Sequence, residues 1–289
     1  MNFSEEVVIF PVAGEELLGI VAKPEFPADH GVLIIVGGPQ YRVGSHRQFL
    51  LLSRQLASEG HPSLRFDCRG MGDSGGAMRG FEETSEDIGA AISAFQLACP
   101  SVKCIILWGL CDAASAALLY FHTTRDLRVV GMALLNPWVR SEASLAQTQI
   151  KHYYRQRLLQ REFWAKLFNG EMHLLKSLRD LLKNVIQARG RPIPSAGSSC
   201  PFQGQMAKGL RQFSGEVLLI LSGQDYTAKE FLQFVRSNDA WSGLVDATNV
   251  RRIDIETADH TFSSKTLRLS VESATLTWLA DLLSARRKV

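Results

Sequence analysis

The stretch VKCIILWG, Val102 to Gly109, constrains the fold more than any other part of the sequence. Cys104 to Trp108 is apolar without alternation, so a strand formed here needs cover on both of its faces. Three residues beyond Gly109 a helical pattern begins, DAASAALLY, which leaves no room for a hairpin loop. A strand that runs directly into a helix belongs in a mainly parallel sheet with helices on both sides. GVLIIVGG, PSLRFDCRG, LRVVGMALLNP, EVLLILSGQD and VRRIDIETADH repeat the short apolar run. RQFLLLSRQLASEG and FEETSEDIGAAISAFQLACP supply helices between them, the first closed by Gly60 and the second halted near Pro100. EEVVIFPV and LLGIVAKP read as an N-terminal hairpin turned at Ala13-Gly14. TLRLSVESATLTWLADLLSARRK closes the chain as an amphipathic helix, with Arg286, Arg287 and Lys288 favourable to its dipole.

One segment breaks the alternation. Residues 141–212 carry helical patterns and a Gly/Pro/Ser-rich stretch, ARGRPIPSAGSSCPFQG, but no strand signal. The expected organisation is therefore an α/β core of residues 1–140 and 213–289, with a helical cap of residues 141–212 inserted between two strands. Tyr153, Tyr154, Phe163, Trp164 and Phe168 can pack such a cap or roof an apolar pocket. Lys151, Arg155, Arg157, Arg161 and Lys166 give it a basic face, expected to be solvated or to touch an anionic lipid or an acidic partner weakly.

The 289 residues can bury one large core, and a net charge of +3 with 21% charged residues gives no reason to expect nucleic acid. The N-terminal sequence lacks a basic start and carries acids within its apolar pattern, so a secretory signal is not expected. No uninterrupted apolar run approaches the roughly 20 residues of a membrane helix. The five cysteines, Cys68, Cys99, Cys104, Cys111 and Cys200, are odd in number and lack paired metal spacing. They are expected as reduced thiols in a cytoplasmic protein. No metal and no nicotinamide cofactor are expected, because the histidines are dispersed and no G-x-G-x-x-G follows a suitable strand.

Chemistry concentrates at Gly109-Leu110-Cys111-Asp112-Ala113. This matches the strand–nucleophile–helix turn G-x-S-x-G, with cysteine for serine and alanine for the last glycine. A helix N-terminus under the sulfur favours thiolate. The bland alternative is a buried structural cysteine. A nucleophile needs a base and the base an orienter. Asp225 follows VLLILSGQ and His260 follows VRRIDIETAD, each just past an apolar strand, where such sheets place ligand-binding residues. Separately, Asp225 reads as a turn residue and His260 as a loop residue. One oxyanion donor is expected from the N–H of Asp112. The second falls on Gly38 or Gln40, with Gln40 preferred because Pro39 would hold the loop. Arg42, Arg140 and Trp138 are the expected substrate contacts, the arginines for an anionic group, with Arg47 a similar candidate.

Assembled, these residues resemble the α/β-hydrolase superfamily. FDCRGMGDSGG, Phe66 to Gly76, is similar to the D-x-R-G-x-G-x-S loop after that superfamily's fourth strand. More narrowly, GGPQYRVGSHRQF, WGLCDAASAALLY and ADHTF resemble the hydrolase 1 family associated with exosortase A systems, encoded beside exopolysaccharide and protein-sorting genes. The resemblance implies a cytoplasmic accessory hydrolase with a helical cap and a Cys111, Asp225, His260 triad. A cysteine at the turn also resembles dienelactone hydrolases. The sequence departs from the superfamily in Ala113 and in Val36-Gly37-Gly38, where His-Gly is frequent. The expected activity is cleavage of a small acyl ester or thioester through an acyl-enzyme. An acyltransferase using the same site, and a binding or scaffold protein that kept the fold, are the alternatives.

Overall fold

The computed structural model describes residues 2–140 and 201–286. Among these, strands β1 (Phe3–Val12), β2 (Glu15–Pro24), β3 (His30–Ile35), β4 (Ser63–Phe66), β5 (Cys104–Leu110), β6 (Val129–Leu135), β7 (Glu216–Ser222) and β8 (Val250–Ile255) form one sheet. Its order is β1-β2-β4-β3-β5-β6-β7-β8. β1, β2 and β4 pair antiparallel, and from β4 to β8 every pairing is parallel. The hairpin turns at Ala13 (φ 49°) and Gly14 (φ 88°), two positive φ values in succession, as a two-residue type I′ turn requires.

The helices are α1 (Gln48–Ser58), α2 (Ser85–Ala98), α3 (Asp112–Thr124), α4 (Phe202–Gln212), α5 (Tyr226–Ser237) and α6 (Lys265–Arg286). They cover the two faces of the sheet, and the strands divide their side chains between two cores with a period of two. From β5, Ile105 and Leu107 join the core of α2, α3, α4 and α5, with Phe95, Leu118, Met206 and Phe231. Ile106, Trp108 and Leu110 face the core of α1 and α6, with Phe49, Leu56, Trp278 and Leu282. The Trp108 ring meets Phe49 edge-on at 5.7 Å between centroids. Fully burying side chains of this size stabilises by roughly 1.5–3 kcal/mol each.

Helix α4 falls within residues 141–212, the expected cap. It packs with Met206, Ala207 and Leu210 in the same core as α3, and Gln203 Nε2 donates to the Val139 carbonyl at 3.1 Å. The remainder of the expected cap, with its aromatic and basic residues, lies outside the described residues. Helix α5 has no counterpart in the expected element list.

The strand order positions the site. From β3 the chain steps to β4 on one side, then crosses back to β5 on the other. The crevice at the carboxyl ends of β3 and β5 is thus a topological switch point, where open α/β sheets hold their ligands.

Candidate active site

Strand β5 ends at Leu110 and α3 begins at Asp112, so Cys111 alone makes the turn, with φ 63° and ψ −123°. A non-glycine residue in this region is strained and persists only where its surroundings over-determine it. Here the Cys111 N–H donates to the Leu135 carbonyl at 2.8 Å, and its carbonyl accepts from Ala114 at 3.1 Å and Trp138 at 3.3 Å. The glycine of the turn is required by close approach: a Cβ on Gly109 would lie 2.6 Å from the Ala113 carbonyl carbon. Ala113, in place of the second glycine, fits fully buried.

His260 lies in the loop after β8 and Asp225 caps α5. His260 Nδ1 and Asp225 Oδ2 are 2.8 Å apart, and the Asp225 carboxylate also accepts from the N–H groups of Thr227 (3.1 Å) and Ala228 (3.2 Å). The Asp225 turn reading and its role beside histidine are therefore one arrangement. Burial alone would raise the Asp225 carboxyl, but His260 and the two amides outweigh it and hold it below the ordinary value. Hydrogen bonds to Asp225 and to Cys111 raise His260 to about 10. The structure thus brings the three residues of the expected triad together, with the imidazolium favoured between a carboxylate and a thiol.

Sequence reasoning did not find Asn136. Fully buried at the end of β6, it accepts from the Ser222 N–H at 2.9 Å and donates through Nδ2 to Ser222 Oγ (2.8 Å) and to the His260 carbonyl (3.2 Å). Its φ of 44° is tolerated better by asparagine than by most residues. The available signal was Asn136-Pro137 directly after an apolar run, a turn-forming pair.

The oxyanion side differs from expectation. The Gln40 N–H is engaged by the Gly38 carbonyl at 2.8 Å, and its side-chain amide donates to the Gly37 carbonyl at 2.7 Å. Across Pro39 the Gln40 N–H turns back onto the loop itself. The N–H that faces the elbow is that of Gly38, and it donates to the Asp112 carboxylate at 2.7 Å. A Cβ on Gly37 would overlap Asp112 Oδ1, so the loop lies directly on this side chain. Burial raises the Asp112 carboxyl above its ordinary value, against the opposing pull of the N–H groups of Gly38, Ala113 and Asp112 itself.

Arg42 is committed elsewhere. Its Nη1 donates to Asp67 and, at 2.8 Å, to Asp73, while its backbone N–H donates to Asp67 at 2.7 Å. Asp67 is fully buried, and Asp73 also accepts from the Tyr41 hydroxyl at 2.6 Å. The guanidinium therefore ties the loop after β3 to the loop after β4. Trp138 is half-buried, with its N–H on the Cys111 carbonyl and its own carbonyl accepting from Ser115 Oγ at 2.7 Å. Arg140 is the last residue described before 141–200. Arg47, with φ 61°, is the residue just before α1.

A cavity of about 200 Å³ adjoins the oxyanion loop. Val36, Met71, Met78, Phe81 and Ala116 make its walls mostly apolar, and Asp112 and Arg79 also line it. Among the described residues, no group of three or more His, Cys, Asp or Glu is placed to hold a metal ion. No helix among them is long and apolar enough to cross a membrane.

This sheet order, the strained turn after β5 and the positions of Cys111, Asp225 and His260 define an α/β-hydrolase fold. Solved structures match it over almost the whole chain. An esterase of Pyrococcus furiosus, Pf2001, aligns over 97% of this chain and 92% of its own, with a TM-score of 0.65 and 15% identity. Est1E of Butyrivibrio proteoclasticus, solved with ferulic acid, aligns over 96% and 99%, with a TM-score of 0.60 and 14% identity. An alpha-beta serine hydrolase homologue of Coxiella burnetii aligns over 93% and 94%, with a TM-score of 0.54 and 13% identity. No family model and no curated protein sequence matches the chain, so the narrower exosortase-associated resemblance rests on its motifs alone.

Proposed function

We propose that the protein cleaves a small ester or thioester through an acyl-enzyme on Cys111. The observation that carries this reading is the strained turn that presents Cys111 within hydrogen-bonding reach of His260, itself held by Asp225. With the thiol proton held by His260, the sulfur attacks the carbonyl carbon, forming the C–S bond. The tetrahedral intermediate collapses with loss of the alkoxide or thiolate, which leaves with the proton from His260. Water then gives a proton to His260 and attacks the thioester, the C–S bond breaks, and the acid departs as the proton returns to sulfur. Fold neighbours that are esterases support the reaction class. The cavity beside the elbow suits a small acyl group, since a cavity of about 150 Å³ accommodates benzene. The motif resemblance extends the proposal to an accessory role beside exopolysaccharide and protein-sorting machinery in the cytoplasm.

Intact mass spectra after incubation with short-chain p-nitrophenyl esters and acyl thioesters test the proposal. An acyl adduct is expected on the native protein and not on Cys111→Ala. His260→Ala is expected to slow its formation by about 10²-fold or more. Turnover with water alone, against transfer to added alcohol or sugar, separates hydrolase from acyltransferase. Absence of an adduct with every substrate, from folded protein whose Cys111 still alkylates, would favour a binding protein.

A further inference from the structure

The loop N–H that an acyl oxyanion would use at this elbow, that of Gly38, already donates to a carboxylate. Asp112 is the residue after the proposed nucleophile, and its own N–H is the donor that the mechanism assigns to the oxyanion. In the structure its side chain turns back over the start of α3. One oxygen receives the Gly38 N–H at 2.7 Å, and the carboxylate also draws on the N–H groups of Ala113 and Asp112. The Gly38 N–H comes from the loop after β3, the expected source of the second oxyanion donor. Gly37 gives the carboxylate its space, since any Cβ there would overlap Asp112 Oδ1. The result is a self-filled anion site next to the thiol.

We propose that Asp112 is the resident anion of this oxyanion position, and that acyl chemistry on Cys111 requires its carboxylate to withdraw or lose its charge. This rests on the reading of Cys111 as the nucleophile. Like charge makes the two states exclusive: a carboxylate and an oxyanion cannot share the same donors in a partly buried site. The fold offers the carboxylate somewhere to go. Asp112 lines the apolar cavity on the side of Met71, Met78 and Phe81, and Arg79 lines the same cavity. A substrate that enters with its acyl group there meets Asp112 before it meets the amides. Asp112 thereby determines specificity. It disfavours anionic substrates near the sulfur and holds simple activated esters to slow acylation.

Two measurements decide this, and neither depends on ester cleavage. The first is the rate of Cys111 modification by neutral iodoacetamide and anionic iodoacetate. Wild type is expected to prefer iodoacetamide, and Asp112→Asn, which keeps shape but removes charge, is expected to cut that preference about tenfold. The second reads the amide directly. Only Gly38 and Gly76 follow a glycine in this chain, so combined carbonyl-¹³C and amide-¹⁵N glycine labelling isolates two signals. In Asp112→Ala the Gly38 signal is expected to move upfield, and added acetate to return it toward its wild-type position. An unmoved Gly38 amide in Asp112→Ala overturns the proposal, as does an unchanged reagent preference in Asp112→Asn or a thiol inert to both reagents. Ester-derived adducts are expected to form faster in Asp112→Asn than in wild type. If neither protein forms one while the other two measurements succeed, the acyl-enzyme reading fails and the resident anion stands.

Discussion

Two aspartates open helices in this site, and the protein treats them in opposite ways. Asp225 caps α5 and receives the amides of Thr227 and Ala228; Asp112 starts α3 and receives that of Gly38, with the amides of Ala113 and Asp112 itself also favouring its charged form. Burial pushes both carboxyls up. Asp225 ends below its ordinary value and Asp112 above it. The difference lies in His260, which hydrogen-bonds Asp225 at 2.8 Å but acts on Asp112 through charge alone. Amide donors at a helix N-terminus thus do not by themselves offset the cost of burial, and a cation in contact decides the direction of the shift. In the proposed reaction one aspartate serves the base, and the other stands in the place of the reaction's own anion.

The largest effect expected from breaking this comparison is at Asp225. Asp225→Asn keeps the capping oxygen but removes the charge that orients His260 and favours its protonated form. Cys111 alkylation and acylation are expected to fall by about 10³-fold or more, as for an asparagine in an equivalent triad position. The same isosteric change at Asp112 has the opposite sign, a gain in rate. If both substitutions slow the thiol, the two carboxylates act alike and the contrast is wrong.

Next in size is Asn136, which holds the His260 side in place. Asn136→Ala leaves the buried Ser222 N–H unpaired, at a cost of about 1–3 kcal/mol before relaxation, and removes the donor to the part-buried His260 carbonyl. Urea unfolding is expected to show that loss. The variant's remaining folded protein is expected to keep the Gly38 signal of wild type, because the oxyanion side depends on different contacts. A shift at Gly38 would mean the two sides are mechanically one.

How much of this was legible depended on the distance over which each feature is set. The strands could be read because their apolar runs are local and buried on both faces, as Leu107 and Trp108 show by facing separate cores. Cys111, Asp225 and His260 could be read because each follows such a run. Helix α4 could not be separated from the insertion, since no strand signal precedes it and its packing on α3 lies in neither sequence. The choice of Gln40 failed on a turn only three residues long. Arg42 looked free for a substrate anion because its partners, Asp67 and Asp73, come 25 and 31 residues later. The Asp112 contact was hidden for the same reason: Gly38 is 74 residues away in sequence.

The smallest expected effect is on stability against pH, and it isolates the cation that separates the two aspartates. His260 holds its proton to about 10 in the folded protein, against an ordinary value of 6.5. The folded state therefore binds that proton more tightly than the unfolded chain does. Its contribution to stability is complete below about pH 6.5, declines above it, and is lost as pH rises through about 10. Asp225, held low, contributes in the other direction: its share is present above 3.8 and is lost as pH falls through the folded value. Between these limits the pair is intact, so the Tm gap between wild type and Asp225→Asn is expected to be widest from about pH 4 to 6.5. Because the His260 side chain is 36% exposed, solvent screening limits the gap to about a few degrees. It should narrow steadily toward pH 10. An Asp112→Asn protein has no histidine contact to lose, so its Tm difference from wild type should not follow that slope. If the two gaps change in parallel, His260 does not distinguish the carboxylates, and the opposite shifts need another cause.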